Sequence, residues 1–258
     1  MKSFVKQPAF VASTFFLALA TGLSAAHQIP AGTVLPVRLN STVSSATSHA
    51  GEIITARIMQ DVPLSGDGTL RAGMKVIGHV VNVTAASQTS PASISLAFDT
   101  LEARGEKIPI TTNLRAIASF VAVEQAQVPA AGPDRGTPEY AWTTVQIGGE
   151  AVYRGGGHVE GINGTVGEPV AGGVLVHLQA NSEGGCRGPI NANDSVQALW
   201  VFSSNACGAY GLPNLTIRHM GRTGPVGDIT FDSTKGPVNI ARGAGLLLRV
   251  NAPGSSGA

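Results

Sequence analysis

The residues able to do chemistry in this 258-residue chain are few and widely spaced. His158-Val159-Glu160 follows Gly155-Gly156-Gly157. An imidazole and a carboxylate two residues apart on extended backbone face the same side, as two ligands of one metal ion would. No third ligand is placed nearby, and His49, His79, His177 and His219 show no ligand spacing. The segment therefore reads as a glycine loop with two solvated polar residues, and no metal site is expected. The stretch from Gly155 to Gly173 lacks the Gly-Lys-Ser/Thr ending and the following helix that a phosphate cradle requires, and no Gly-x-Ser-x-Gly elbow marks a serine nucleophile. The chain reads as non-enzymatic, with no catalytic residue and no cofactor.

Aromatic side chains offer stacking. Tyr140 and Trp142 end a Pro/Gly-rich stretch and are the expected exposed pair, while Trp200 and Phe202 fall close to Cys207 and Tyr210. Val196, Ala198, Trp200 and Phe202 alternate along one predicted strand and are expected to pack together as core. A glycan-binding or glycan-hydrolysing protein would instead line a concave site with Trp142, Tyr140 or Trp200 and bring Glu150, Glu160 or Asp194 to it. Hydrolysis would need two carboxyl groups about 5 to 10 Å apart.

Export is written at the amino terminus. Lys2 and Lys6 precede an apolar run from Ala9 to Leu23, followed by Ser24-Ala25-Ala26, the three regions of a signal peptide with cleavage expected after Ala26. Cys186 and Cys207 are the two cysteines. Outside the cytoplasm they are expected to form a disulfide. The formal net charge of +1, without a basic run, excludes the electrostatic footprint of a nucleic-acid binder. After the signal peptide no stretch of about twenty apolar residues could span a bilayer as a helix, and 5% aromatics fits poorly with a membrane barrel. A periplasmic or extracellular location is expected.

The elements that position these residues are strands. Val34 to Leu39, Ile53 to Val62, Met74 to Val83, Ser93 to Leu101 and Lys107 to Ile117 read as strands between turn signals, with no long helical period. Pro129, Pro133 and Pro138 then mark a linker or loop. Beyond it, strands are predicted at Thr144 to Ile147, Val174 to Gln179, Val196 to Phe202, Asn214 to Arg218, Asp228 to Phe231 and Gly245 to Val250. The organisation is a signal peptide (1–26), a β region (27–121), a linker or loop (122–141), a glycine-rich β region (142–252) and a disordered tail (253–258). The fold class is all-β: a β-barrel or β-sandwich of short antiparallel strands with a glycine-rich second half.

One pattern occurs three times. Ile29 to Leu39 reads IPAGTVLPVRL, Leu70 to Val80 reads LRAGMKVIGHV, and Ile240 to Val250 reads IARGAGLLLRV. Each places an apolar residue three before a glycine and then alternates apolar positions, a turn feeding a strand. The third copy predicts that the last strand pairs back with the first region. Arg38 and Arg249 occupy equivalent positions and are expected on the polar face, available to a partner's carboxylates.

These segments, with Ala56-Arg-Ile-Met-Gln-Asp-Val between the first two, resemble the TrbI-type barrel domain of type IV secretion systems. The resemblance covers about a third of the chain after the signal peptide. It implies a stand-alone β module of the cell envelope that packs against an envelope protein or itself. It implies no catalysis.

Overall fold

The computed structural model describes residues 28–65, 68–87, 90–130, 143–187 and 195–252. The predicted signal peptide, most of the linker with Tyr140 and Trp142, Asp194 and the predicted tail lie outside them. The first half contains β1 (Val34–Leu39), β2 (Val43–Ser44), β3 (Ile53–Ile58), β4 (Val62–Pro63), β5 (Thr69–Leu70), β6 (Lys75–Thr84), β7 (Ala92–Ala103), β8 (Glu106–Pro109), β9 (Thr112–Ala118) and helix α1 (Phe120–Gln127). The second half contains β10 (Thr143–Val145), β11 (Ala151–Tyr153), β12 (His158–Gly161), β13 (Gly164–Val170), β14 (Gly173–Val176), β15 (Gln197–Ala198), β16 (Gly208–Tyr210), β17 (Leu215–Met220), β18 (Ile229–Ser233), β19 (Asn239–Ile240) and β20 (Gly245–Val250).

The described residues are all-β apart from α1. The large sheet has the order β16-β9-β20-β1-β3-β6-β7-β18-β17, with β8 added on β7, and only the β16–β9 pairing is parallel. It wraps one apolar cluster to which β1 contributes Leu35 and Val37, β7 contributes Ile94, Leu96 and Phe98, and β18 and β20 contribute Phe231 and Leu248. Each such side chain, fully buried, contributes about 1.5–3 kcal/mol. Backbone hydrogen bonding does not close this sheet into a barrel. The second sheet, β10 to β15 in chain order, is an antiparallel meander.

The three repeats form the same turn. Gly32, Gly73 and Gly243 have φ of +88°, +89° and +87°, a conformation that costs any other residue type. Each glycine donates its N–H to the end of the neighbouring strand: Gly32 to Val250 O (2.8 Å), Gly73 to Ile58 O (2.7 Å) and Gly243 to Leu39 O (2.9 Å). Each accepting residue returns the bond to the residue after the glycine, so Val250, Ile58 and Leu39 donate to Thr33, Met74 and Ala244 at 2.9 Å each. The last strand therefore does pair with the first, Val34 opposite Arg249 through Arg38 opposite Gly245.

Strands from both sides of the linker share the large sheet, and the meander packs on its outside. Val34, Ala116, Ala118 and Leu247 join Val152, Val159, Val174, Val176, Trp200 and Phe202 in a second apolar cluster. As a result β1, β9 and β20 are buried along almost their whole length, which explains the near-continuous apolar runs of β1 and β20. Arg38 and Arg249 are the partly exposed positions of β1 and β20, with the Arg38 side chain 30% exposed.

Two buried glutamines join the layers. Gln197 Oε1 accepts the Val34 N–H at 3.0 Å. That N–H lies beyond the point where β3 pairs with β1, since the pairing covers only Val37 to Leu39. Pro36, within the same uncovered stretch, has no N–H to satisfy. Gln60 Nε2 donates to Val174 O (2.7 Å), and its Oε1 accepts from Trp200 N (2.7 Å) and Val174 N (3.3 Å). A Cβ on Gly173 would stand 2.2 Å from Gln60 Oε1, so this approach needs glycine.

Several local expectations change. Lys107 to Ile117 is two strands, broken between Pro109 and Thr112. Residues 122–127, expected to open the linker, continue helix α1; Ser119 Oγ caps it by accepting from Ala122 N, and its single buried residue, Val123, leaves almost no helical period to read. His158 to Glu160 is strand β12 rather than loop. Val196 to Phe202 does not run as one strand: Gln197–Ala198 pairs with β14 and Phe202 makes a single parallel bridge to Ile147, while Trp200 between them has φ +54° and Phe202 N closes a turn on Leu199 O at 2.9 Å. Leu199, Trp200, Val201 and Phe202 are all buried, which a strand with one solvent face could not achieve.

Candidate functional site

Cys186 and Cys207 form the expected disulfide, with Cα atoms 6.0 Å apart. It ties the Asn181–Cys186 turn to the segment leading into β16, and Arg115 lies beneath it. Arg115 is the extra residue where the β20–β9 register shifts between Leu247 and Leu248. A bulge re-aims the side chain it carries. Its Nη2 donates to Gln179 O (2.6 Å) and Ser204 O (2.9 Å), one carbonyl from each flank of the disulfide. Burial, then the charges of Arg249 and Arg222, pushes its guanidinium down to about 10. Arg222 Nη2 stands 3.8 Å from Cys186 Sγ, and burial lowers Arg222 and Arg249 as well. Arg249 thus belongs to a half-buried group of three guanidinium groups rather than to an open polar face.

Arg38 is engaged within the chain. Its Nη2 is 2.6 Å from Glu124 Oε1 and its guanidinium lies 5.7 Å from the centre of the Phe120 ring, so it fastens α1 to β1. The proposed interaction pair therefore separates into a helix clamp and a member of the arginine group.

Glu150 and Glu160 do not converge. Glu150 is buried, and its carboxylate accepts from Ser204 N (2.7 Å) and from Ser204 Oγ. Burial raises its carboxyl above the ordinary 4.5, while the two bonds from Ser204 pull it down. Because the Ser204 carbonyl takes Arg115, one residue links the buried acid to the buried base. Glu160 is on the solvent side of β12, accepting from Thr165 Oγ1 at 3.2 Å with His158 Nε2 4.0 Å away. His158 stacks on Tyr153, ring centres 4.8 Å apart. Among the described residues no group of three or more His, Cys, Asp or Glu side chains could hold a metal ion.

A recess lies between α1 and the meander. A cleft of about 300 Å³ is lined by Thr144, Gln146, Arg154, Gly173, Trp200 and Val201, among others. Trp200 was anticipated there; Gln146 and Arg154 were not. Gln146 is only 5% exposed, its Nε2 makes a long bond to Trp200 O (3.4 Å), and its Oε1 is buried without a partner among the described residues. The left-handed backbone of Trp200 forms part of the wall, held by Gln60. A bulky residue in that conformation is an outlier that surrounding contacts must enforce.

Sequence reading missed Arg115, Gln60 and Gln146. Arg115 had a signal, a charge inside the otherwise apolar run Leu114 to Ala118. Gln60 and Gln146 had none, because a glutamine flanking a strand looks the same whether exposed or buried. No family model, no curated protein and no solved structure matches this chain.

Proposed function

We propose that the protein is an exported, non-enzymatic interaction module of the cell envelope that binds an extended segment of a partner protein. The observation that carries this reading is the edge of the meander. Among the described residues strand β10 has one strand neighbour, β11; on its other edge Thr143 O already accepts the Ala130 N–H at 2.7 Å, which leaves the edge at Val145, and Val145 (47% exposed) and Tyr153 (40% exposed) are diagonal neighbours on the solvent face of the pair. A partly open edge beside exposed apolar side chains is what strand addition uses: backbone bonds give affinity and the side chains give selectivity. The disulfide and the signal-peptide pattern support export, and no described helix is long and apolar enough to cross a membrane. The resemblance of the repeat segments to a secretion-apparatus barrel supports an envelope assembly.

The test is a photo-cross-linking residue at Val145 in the native envelope, with the same residue at exposed Thr216 as control. The expected result is one defined envelope protein joined through position 145 in fixed proportion, and lost when Tyr153→Lys is added. A free monomer from both positions overturns the reading. A second reading, glycan binding, is favoured by the cleft that Trp200, Thr144 and Arg154 line.

A further inference from the structure

We infer that the pocket between the Gly73 turn and the β7–β8 turn binds a phosphate dianion, free or as a monoester at the end of a larger molecule. The site lies on the large sheet and is independent of both readings above.

Five charged residues form one row across five neighbouring strands. Arg38 of β1 is opposite Arg57 of β3, Arg57 is opposite Lys75 of β6, Lys75 is opposite Glu102 of β7, and Glu102 is opposite Lys107 of β8. Residues directly opposite share a face, and like charges placed so repel. Arg57 therefore has a cation on each side. Both neighbours have a carboxylate of their own: Arg38 Nη2 is 2.6 Å from Glu124 Oε1, and Lys75 Nζ is 2.8 Å from Glu102 Oε2. Arg57 has no ion-pair partner among the described residues. The repulsion at Arg57 is left for an external anion to relieve.

The surface is concave at this point. A pocket of about 490 Å³ is lined by Arg57, Arg71, Lys75, Glu102 and Arg104, with Asn40 beside them. Arg71 is paired with Asp61 at 2.6 Å, whereas Arg104, like Arg57, has no ion-pair partner among the described residues. The two unpaired guanidinium charges match a phosphomonoester, which carries close to two negative charges at pH 7, better than the single charge of a carboxylate or a phosphodiester. A guanidinium also donates two parallel hydrogen bonds to phosphate oxygens. Arg104 has φ +53° in the two-residue turn that joins β7 to β8, where asparagine or glycine is the usual choice. Turn chemistry does not account for an arginine there, and a cation needed at the rim of the pocket does. Arg57, Arg71, Lys75 and Arg104 are all exposed, so the pocket admits a phosphate carried by a larger molecule.

The test is isothermal titration of the full chain, at one fixed ionic strength, with inorganic phosphate, glucose 6-phosphate and dimethyl phosphate. Sedimentation with phosphatidylcholine vesicles containing phosphatidic acid or phosphatidylglycerol accompanies it. The expected result is that a dianion binds about tenfold or more tightly than its monoanionic counterpart, dimethyl phosphate or phosphatidylglycerol. Whether inorganic phosphate, the sugar phosphate or phosphatidic acid binds most tightly identifies the source of the group. Arg57→Gln and Arg104→Asn each weaken the dianion about tenfold, and Lys235→Gln, which removes an exposed cation outside the pocket, does not. Asparagine tolerates the left-handed turn and Arg57 is exposed, so both variants are expected to fold, and thermal melts check this. Equal binding of dianions and monoanions overturns the proposal, as does dianion binding unchanged in either arginine variant. Absence of binding by every dianion overturns it as well.

Discussion

Gly32 and Gly243 stand at opposite ends of one antiparallel strand pair, and each donates its N–H to the last residue of the strand the other introduces. The first and last strands are thereby sealed at both ends by one repeated turn. Gly73 makes the third copy between β3 and β6, so the large sheet is stapled at three points by a single local device.

The copies differ in what surrounds them, and this separates backbone conformation from packing. A Cβ at Gly73 would meet open space, whereas one at Gly243 would stand 2.6 Å from Phe120 Cδ2. Gly73→Ala is expected to cost about 1–2 kcal/mol from the left-handed conformation alone. Gly243→Ala is expected to cost more, because it also displaces Phe120 from beside Arg38. Urea denaturation of both variants checks the order, and equal losses would show that Phe120 gives way freely.

Gln60 is the side chain that holds the two sheets to each other around Trp200. Gln60→Met keeps the volume and removes the acceptor shared by Trp200 N and Val174 N. Leaving two buried donors unpaired is expected to cost about 3 kcal/mol. The amides of residues 174 and 200 should then exchange hydrogen faster than those of β6 and β7. Unchanged stability would mean that the layers do not depend on this amide.

Glu150 predicts a pH dependence. Its folded value lies above the ordinary 4.5, so its favourable contribution is fully present below pH 4.5 and is lost as pH rises through the raised value. Glu150→Gln keeps an acceptor for Ser204 N and a partner for Ser204 Oγ without the buried charge. The variant is expected to be more stable than the parent at pH 7, with the advantage shrinking to nothing below pH 4.5. Stability curves measured across that range check it, and a variant less stable than the parent at pH 7 but equal to it below pH 4.5 would show that the charge itself is needed beside Ser204.

The disulfide closes a loop of 21 residues. Replacing both cysteines by serine is expected to cost about 3 kcal/mol, since the loop-closure entropy returns to the unfolded chain. The loss should appear in the denaturation midpoint and should be matched by reduction of the parent protein. Arg115 should then gain exposure, because the two carbonyls it bridges are no longer tied together.

The amino-acid sequence by itself determined the strand class, the three glycine turns, the pairing of the last strand with the first and the partnership of Cys186 with Cys207. Each depends on local chemistry: a residue that tolerates positive φ, an alternation of period two, a repeated segment, and a sequence with two cysteines. Tertiary structure alone decided which strands have a solvent face, and so that Arg38 meets Glu124 of α1 and Arg249 lies near Arg115 and Arg222. It also decided that Trp200 leaves the strand for a left-handed turn and that Glu150 is buried under Ser204 instead of meeting Glu160. The physical reason is that burial on a second face and the choice of hydrogen-bond partner are set by elements distant in the chain. Gln60 and Trp200, 140 residues apart, share a bond that neither residue's neighbours encode.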